Sequence, residues 1–328
     1  MRFRVFSGFL CLILLSSLCW GSEFFMTGVR LDLQWYPQSQ FAGYYVAYEK
    51  GMYLRRGLNV FVYRGGPDRD PMEALRRREA DFVTAFLTGA MVYRERGLPL
   101  VNLAQVVNEG NLLLVAQKKD GISEIFDLDG KRISMWGDHF SGAYWGFFTA
   151  HCISPEIVPQ FYSIDLFLRG GVVACSAMSY NEYNRILQAG YRQEDLTVIS
   201  LKDEGFGFPE DGIYCLESTL KDHPTVCRDF VRASLEGWRY TAEHPEEAVD
   251  IVMKYAKRAK VPANRVHMKR MLETILPSIV PDSSDLWSFG RLSMSDYLDT
   301  AFMMEERGLI GEVVPFEDFV KTVFEDED

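Results

Sequence analysis

Apolar positions change period repeatedly along this chain, and each change marks an element. "VRLDLQW" reads as a strand. Behind it Phe41, Tyr44, Tyr45 and Tyr48 fall at i, i+3, i+4 and i+7, with Met52 at i+11, which is one face of a helix. That helix is expected to end at Gly51 or Gly57, and "LNVFVYRGG" supplies the next strand. "RDPMEALRRREA" opens a helix in which Asp70 caps, Pro71 suits the first turn and Glu73 lies three residues past the cap. "DFVTAFL" is a short buried strand, "TGAMVYRERG" a helix, and "LVNLAQVV" and "NLLLVAQ" two further strands.

A second series opens at the Asp129-Gly130 turn. "KRISMW" is a strand, "SGAYWGFFTAHC" a helix, "VVACSAMSY" a strand, "NEYNRILQAG" a helix and "LTVISL" a strand. Past "GIYCLES" the period settles at 3.6 through "HPTVCRDFVRASLEGWRYTAEHP", "PEEAVDIVMKYAKRA", "NRVHMKRMLETILP" and "MSDYLDTAFMMEERGLI". Alternating strands and helices predict an α/β fold with mainly parallel sheets covered on both faces. Two such series joined by two strands predict two doubly wound lobes, residues 27–115 plus 214–328 as lobe 1 and 116–213 as lobe 2. A chain that crosses twice makes a hinge and leaves a central cleft between the lobes.

Residues 1–21 stand apart. "MRFRVFSG" carries two arginines, "FLCLILLSSL" is apolar, and "CWG" offers a cleavage site near Gly21. This is the pattern of a secretory signal peptide, and its apolar part is shorter than the roughly 20 residues a membrane span needs. The expected location is therefore periplasmic or extracytoplasmic. A formal net charge of −11 repels phosphate backbones and argues against a nucleic-acid partner. Two of the six cysteines lie in the signal. Cys152, Cys175, Cys215 and Cys227 lack any C-x-x-C spacing, so buried free thiols are expected, with pairing left open.

Enzymatic signatures are scarce. There is no G-x-S-x-G elbow or phosphate loop, and "GFGFPEDG" does not complete G-x-G-x-x-G. The five histidines, at 139, 151, 223, 244 and 267, form no pair at metal-ligand spacing. No catalytic residue and no metal ligand is assigned, although His139 beside Asp138 follows a strand end. Cleft chemistry is better represented, because turns at strand ends hold ligands in α/β folds. The first such turn carries Trp35, Tyr36, Gln38 and Gln40, with Phe41 next. Thr84, Thr88 and Asn108 follow later strands of the first lobe, and Trp136, Ser141, Tyr180 and Glu182 those of the second. Ser179 or Asn181 is expected to cap a helix there. Flat rings among amides, hydroxyls and a carboxylate suit a planar heterocycle. Few cations accompany them, which disfavours a strongly anionic ligand. Arg64 beside Gly65-Gly66 is the exception and reads as a surface turn.

"LQWYPQSQFAGYYVAYEKGMYLRRGLNV", "GG", "READF", "RGLPLVNLAQV", "DLDGKRI", "HPTVCRDFVRASLEGWRYTAEHPEEAV" and "MMEERGLI" appear in this order. Together they resemble the NMT1/THI5-like (SsuA/THI5) solute-binding proteins across essentially the whole chain after the signal. The resemblance implies the type II periplasmic binding-protein fold. It also implies delivery of a thiamine pyrimidine precursor, such as hydroxymethylpyrimidine or formylaminopyrimidine, to an ABC permease and ATPase. In that family the Trp-x-Pro turn, here Trp35-Tyr36-Pro37, lies at the ligand cleft and its aromatic residue contacts the pyrimidine. Pyrimidine-binding members commonly carry a histidine before the Ala/Thr-Gly, where this chain has Phe41 in "QFAG". The "QFAGYY" variant is also similar to binding domains of membrane sensor kinases, a second class of partner. Relatives that synthesise hydroxymethylpyrimidine phosphate use a lysine for pyridoxal phosphate, a histidine four residues later and a cysteine cluster for iron. Those positions fall at Ala85, Gly89 and Gly205 to Pro209. The resemblance therefore implies a binding protein without cofactor, with pyridoxal phosphate and iron belonging only to the synthase alternative.

Overall fold

The computed structural model describes residues 26–137, 140–281 and 288–323. The expected signal peptide, Asp138 and His139 lie outside the described residues.

Among the described residues, ten strands form two five-stranded sheets. The first holds β1 (Thr27–Asp32), β2 (Leu58–Tyr63), β3 (Phe82–Phe86), β4 (Leu100–Gln105) and β10 (Asp211–Leu216), in the order β2-β1-β3-β10-β4. The second holds β5 (Leu112–Gln117), β6 (Arg132–Met135), β7 (Glu156–Pro159), β8 (Ala174–Met178) and β9 (Leu196–Ser200), in the order β7-β6-β8-β5-β9. The two orders follow one plan. Three strands run parallel, and the fourth, flanked on both sides, runs antiparallel to its neighbours. In each sheet that antiparallel strand is the one that has just arrived from the other lobe. β7, which alternation did not reveal, is a four-residue edge strand, and its Pro159 gives up an N–H only at the end of the ladder.

β5 sits whole in the second sheet and β10 whole in the first, so cuts at 115 and 213 fall inside strands. The crossings come earlier, ahead of β5 and β10, because a strand stays with the ladder that satisfies its backbone. They run side by side. Val106 and Val107 both donate N–H to the Asp211 carbonyl at 2.9 Å, Glu210 N–H returns to Val107 O at 3.0 Å, and the buried Gln105 amide bonds Val107 O and Glu210 O.

The aromatic stripe is core. α1 (Ala42–Glu49) lies on α8 (Pro224–Glu243) and α9 (Pro245–Arg258). Tyr44 meets Trp238 edge-on at 6.0 Å and Tyr45 stacks on Tyr255 at 4.2 Å. The approach is so close that a Cβ on Gly43 would stand 2.3 Å from the Trp238 ring, and one on Gly237 2.1 Å from the Gly43 carbonyl. Only Tyr48 leaves the stripe, at 42% exposure. α2 (Pro71–Arg76) starts as its sequence asks, with Asp70 accepting from Met72 N–H at 2.8 Å. All four cysteines of the described chain are free. Cys175, Cys215 and Cys227 are buried, whereas Cys152 is exposed on a left-handed turn, contrary to the expectation of burial.

Candidate ligand cleft

The turn after β1 is fixed from two sides. Gln34 N–H donates to Thr84 Oγ1 at 2.9 Å and Gly65 N–H to Trp35 O at 3.0 Å. Gly65 is needed there, since a Cβ would stand 2.1 Å from Leu33 O. The indole of Trp35 is thereby held half-buried at the mouth of the interlobe space. From the second lobe Trp136 follows β6, its backbone N–H bonded to Ser176 Oγ and its indole N–H to Phe161 O at 3.1 Å. Phe140, also from the second lobe, reaches across, edge-on to Trp35 at 5.4 Å and to Phe86 at 5.2 Å.

Trp35, Gln40, Trp136, Phe140, Met178, Tyr180, Asn181 and Glu182 line one narrow cleft, about 300 Å³ of atom-free space counting its open mouth. Tyr180 and Asn181 precede α6 (Glu182–Gln188), and Glu182 opens it. The Glu182 carboxylate is buried, with Oε2 accepting from Met178 N–H at 3.0 Å and Oε1 from the Asn181 amide at 2.6 Å. Burial pushes this carboxyl up to about 7, against the pull of its backbone hydrogen bonds and of Arg185. At the hinge behind Tyr180, burial raises Glu210 well above the ordinary carboxylate range and Asp211 to about 8. The Tyr180 phenol is raised in turn, by burial and then by Glu210, Asp211 and Glu182. Among the described residues, no lysine or arginine lines the cleft.

Of the residues expected at the site, the structure brings together Trp35, Gln40, Trp136, Tyr180 and Glu182. It does not bring the others. Phe41 is wholly buried in the first-lobe core rather than at the ligand face. Thr84 is buried under the turn as the acceptor for Gln34. Asn108 donates its N–H to Ser278 O at the hinge. Thr88 and Ser141 line a different groove, between α3 (Leu87–Glu95) and α4 (Gly142–Ala150). Tyr36 turns outward and meets Tyr162 of the second lobe edge-on at 5.2 Å. Arg64 is tied to Asp68 by two 2.7 Å bonds and lies over the Tyr36 ring. Asn181 occupies the N-cap position of α6, but its side chain caps nothing and points to Glu182 instead. Phe140, Met178 and His267, whose imidazole reaches Asn181 at 2.9 Å, were missed. Periodicity places Met178 and His267 on buried faces and carries no sign that those faces abut a cleft.

The NMT1/THI5 like family matches residues 38–248. The riboflavin-binding protein RibY of Chloroflexus aurantiacus is 23% identical over 291 residues, covering 86% of this chain and 81% of RibY. The 4-amino-5-hydroxymethyl-2-methylpyrimidine phosphate synthase of Legionella pneumophila is 22% identical over 282 residues, covering 80% and 84%. Among solved structures, the alkanesulfonate-binding protein SsuA of Xanthomonas axonopodis pv. citri, bound to MOPS, superposes with a TM-score of 0.67 at 14% identity, over 90% of this chain and 98% of that one. With the fold shared across two lobes and the family match spanning well over half the sequence, the chain belongs to the NMT1/THI5-like family.

Proposed function

We propose that this chain is an exported solute-binding protein that takes a small, flat, uncharged or cationic heterocycle and presents it to an ABC permease and its ATPase. One observation carries the reading. Two indoles from opposite lobes flank a cleft whose polar groups, among the described residues, are amides, a phenol and one buried carboxylate, with no lysine or arginine. Indole faces stack on planar rings, and the carboxylate and amides bond the ring edge. The raised Glu182 carboxyl favours a ligand that offers it an N–H donor or a positive charge, which lowers the cost of keeping the ionised form buried. An alkanesulfonate favours cations, and the described lining of this cleft holds none. The narrowness of the cleft favours a single ring, such as an aminopyrimidine thiamine precursor, over a fused flavin.

Lobe closure follows from differential binding. The ligand touches Trp35 of one lobe and Trp136, Tyr180 and Glu182 of the other together only when the lobes are shut, so it adds to a closed population that interlobe bonds such as His267 Nε2 to Asn181 Oδ1 already favour in the chain itself. The synthase reading, favoured by the Legionella relative, asks for an amine where this chain has Ala85, wholly buried in β3, and an imidazole where it has Gly89 in α3. Tryptophan fluorescence titrated with hydroxymethylpyrimidine, formylaminopyrimidine, riboflavin and an alkanesulfonate tests the proposal. Saturable quenching by a pyrimidine and none by the sulfonate is expected. Preference for the sulfonate, or a Schiff-base absorbance band with pyridoxal phosphate, overturns it.

A further inference from the structure

His267 lies in the first turn of α10 (Arg265–Ile275), a helix of the first lobe capped by Asn264, and is 6% exposed. Its two ring nitrogens both face the second lobe. Nδ1 is 3.1 Å from Gln188 Nε2, and Nε2 is 2.9 Å from Asn181 Oδ1. The partners fix the proton. An amide nitrogen only donates, so Gln188 gives its hydrogen to Nδ1, and the imidazole carries its own proton on Nε2 and gives it to Asn181. Asn181 in turn donates through Nδ2 to Glu182 Oε1 at 2.6 Å. Four side chains thus form a one-directional run, Gln188 to His267 to Asn181 to Glu182, ending on the carboxylate in the cleft wall. Three of them belong to α6 or its N-cap in the second lobe, and only the imidazole comes from the first.

We propose that His267 is a positioning residue: inserted from the first lobe, it holds the Asn181 amide and through it the Glu182 carboxylate in the orientation the cleft presents. Lobe closure and the setting of the cleft's acceptor are then one event, since opening withdraws the imidazole and frees Asn181 to turn. That Glu182 meets a ligand rests on the function proposed above, whereas the hold of His267 on Asn181 does not.

Three further interlobe contacts border the same groove: Asn181 Nδ2 also reaches Gln38 Oε1 of the first lobe at 3.5 Å, Tyr162 Oη donates to Pro262 O at 3.3 Å, and Tyr36 meets the Tyr162 ring. The last two align the lobes without touching the run, and the long Gln38 contact takes the same amide hydrogens that Asn181 offers to Glu182, leaving its oxygen to His267. The charged groups around the imidazole are Arg185 on α6, Arg270 on α10 and, across the groove, Asp165. Burial, then Arg185 and Arg270, depress the imidazole to about 4, so it stays neutral over the working range, as the run requires.

Nitrogen-15 NMR of the histidine rings in the full chain, with the His267 signals assigned by their loss in His267→Gln, tests the proposal without any ligand. A single Nε2–H tautomer from pH 5.5 to 8, replaced by a tautomer mixture in Asn181→Ala, is expected. Exchange between both tautomers in the unaltered chain, or titration near the ordinary 6.5, overturns the proposal. Small-angle X-ray scattering supplies the second arm. His267→Leu is expected to raise the radius of gyration, while His267→Gln, whose amide nitrogen can replace the Nε2 donor, stays compact. Equal compactness in all three proteins overturns the closure claim. If neither a pyrimidine nor riboflavin quenches the tryptophans, the functional reading fails while both of these measurements still decide the role of His267.

Discussion

Two aromatic clusters dominate the first lobe and its border, and they do opposite work. Tyr44 and Tyr45 on α1 close against Trp238 and Tyr255, Phe41 is buried beside the helix, and glycines at 43 and 237 let the helices approach until no space remains. Trp35, Trp136 and Phe140 are just as ring-rich, but they come from different lobes and leave a gap edged by Gln40, Asn181 and Glu182. Ring content therefore does not distinguish core from binding site. What distinguishes them is whether the chain itself supplies the opposing surface, because a surface the chain leaves uncovered, with polar groups at its edge, is one a ligand can complete.

Substitutions can break this contrast, and they rank by how much chain-supplied surface they remove. Trp238→Ala empties the packed cluster and is expected to cost about 3–5 kcal/mol of stability in urea unfolding, with no direct effect on the cleft. Asp211→Asn tests the buried carboxyls of the hinge. Asp211 has its folded-state value raised to about 8 from an ordinary 3.8, so the folded form holds a proton that the unfolded chain releases. Its contribution is fully present at acid pH and declines as pH rises from about 4 to 8. Glu182 and Glu210 act in the same direction. The depressed His267 acts oppositely, destabilising only as pH falls from about 6.5 towards 4. Melting temperatures followed from pH 6.5 to 8 should fall, and Asp211→Asn should flatten part of that fall. Trp35→Ala is expected to weaken binding of a pyrimidine probe by about 1–3 kcal/mol while changing stability by less than the Trp238 substitution does. Tyr48→Ser, on the exposed edge of the α1 stripe, is expected to stay within about 0.5 kcal/mol in the unfolding assay.

Much of the architecture was legible because periodicity reports burial. Phe41, Tyr44, Tyr45 and Met52 are all buried as their spacing predicts, although α1 holds only Tyr44 and Tyr45 of them and ends at Glu49, ahead of Gly51, and the cap at Asp70 reappears in the folded chain. The lobe boundaries were blurred because β5 and β10 look like any buried strand, and only their pairing reveals which sheet each joins. The cleft was half legible. Trp35, Trp136 and Tyr180 stand at strand ends, where the α/β plan points inward to the ligand space. Thr84, Thr88, Asn108 and Ser141 stand at strand ends as well, but their side chains or backbones serve the turn, the hinge and a neighbouring groove. Sequence cannot tell these from the first group, since each strand end offers several directions. His267 was invisible for a different reason: its partners lie some 80 residues away in sequence, on a helix of the other lobe.

Native mass spectrometry of the chain purified from an exporting host tests the central claim most directly. The account predicts a non-covalent adduct of one small heterocycle, present in the unaltered protein and lost when Trp35 and Trp136 are both replaced by alanine. An adduct indifferent to those two indoles, or a covalent pyridoxal phosphate adduct, would contradict it.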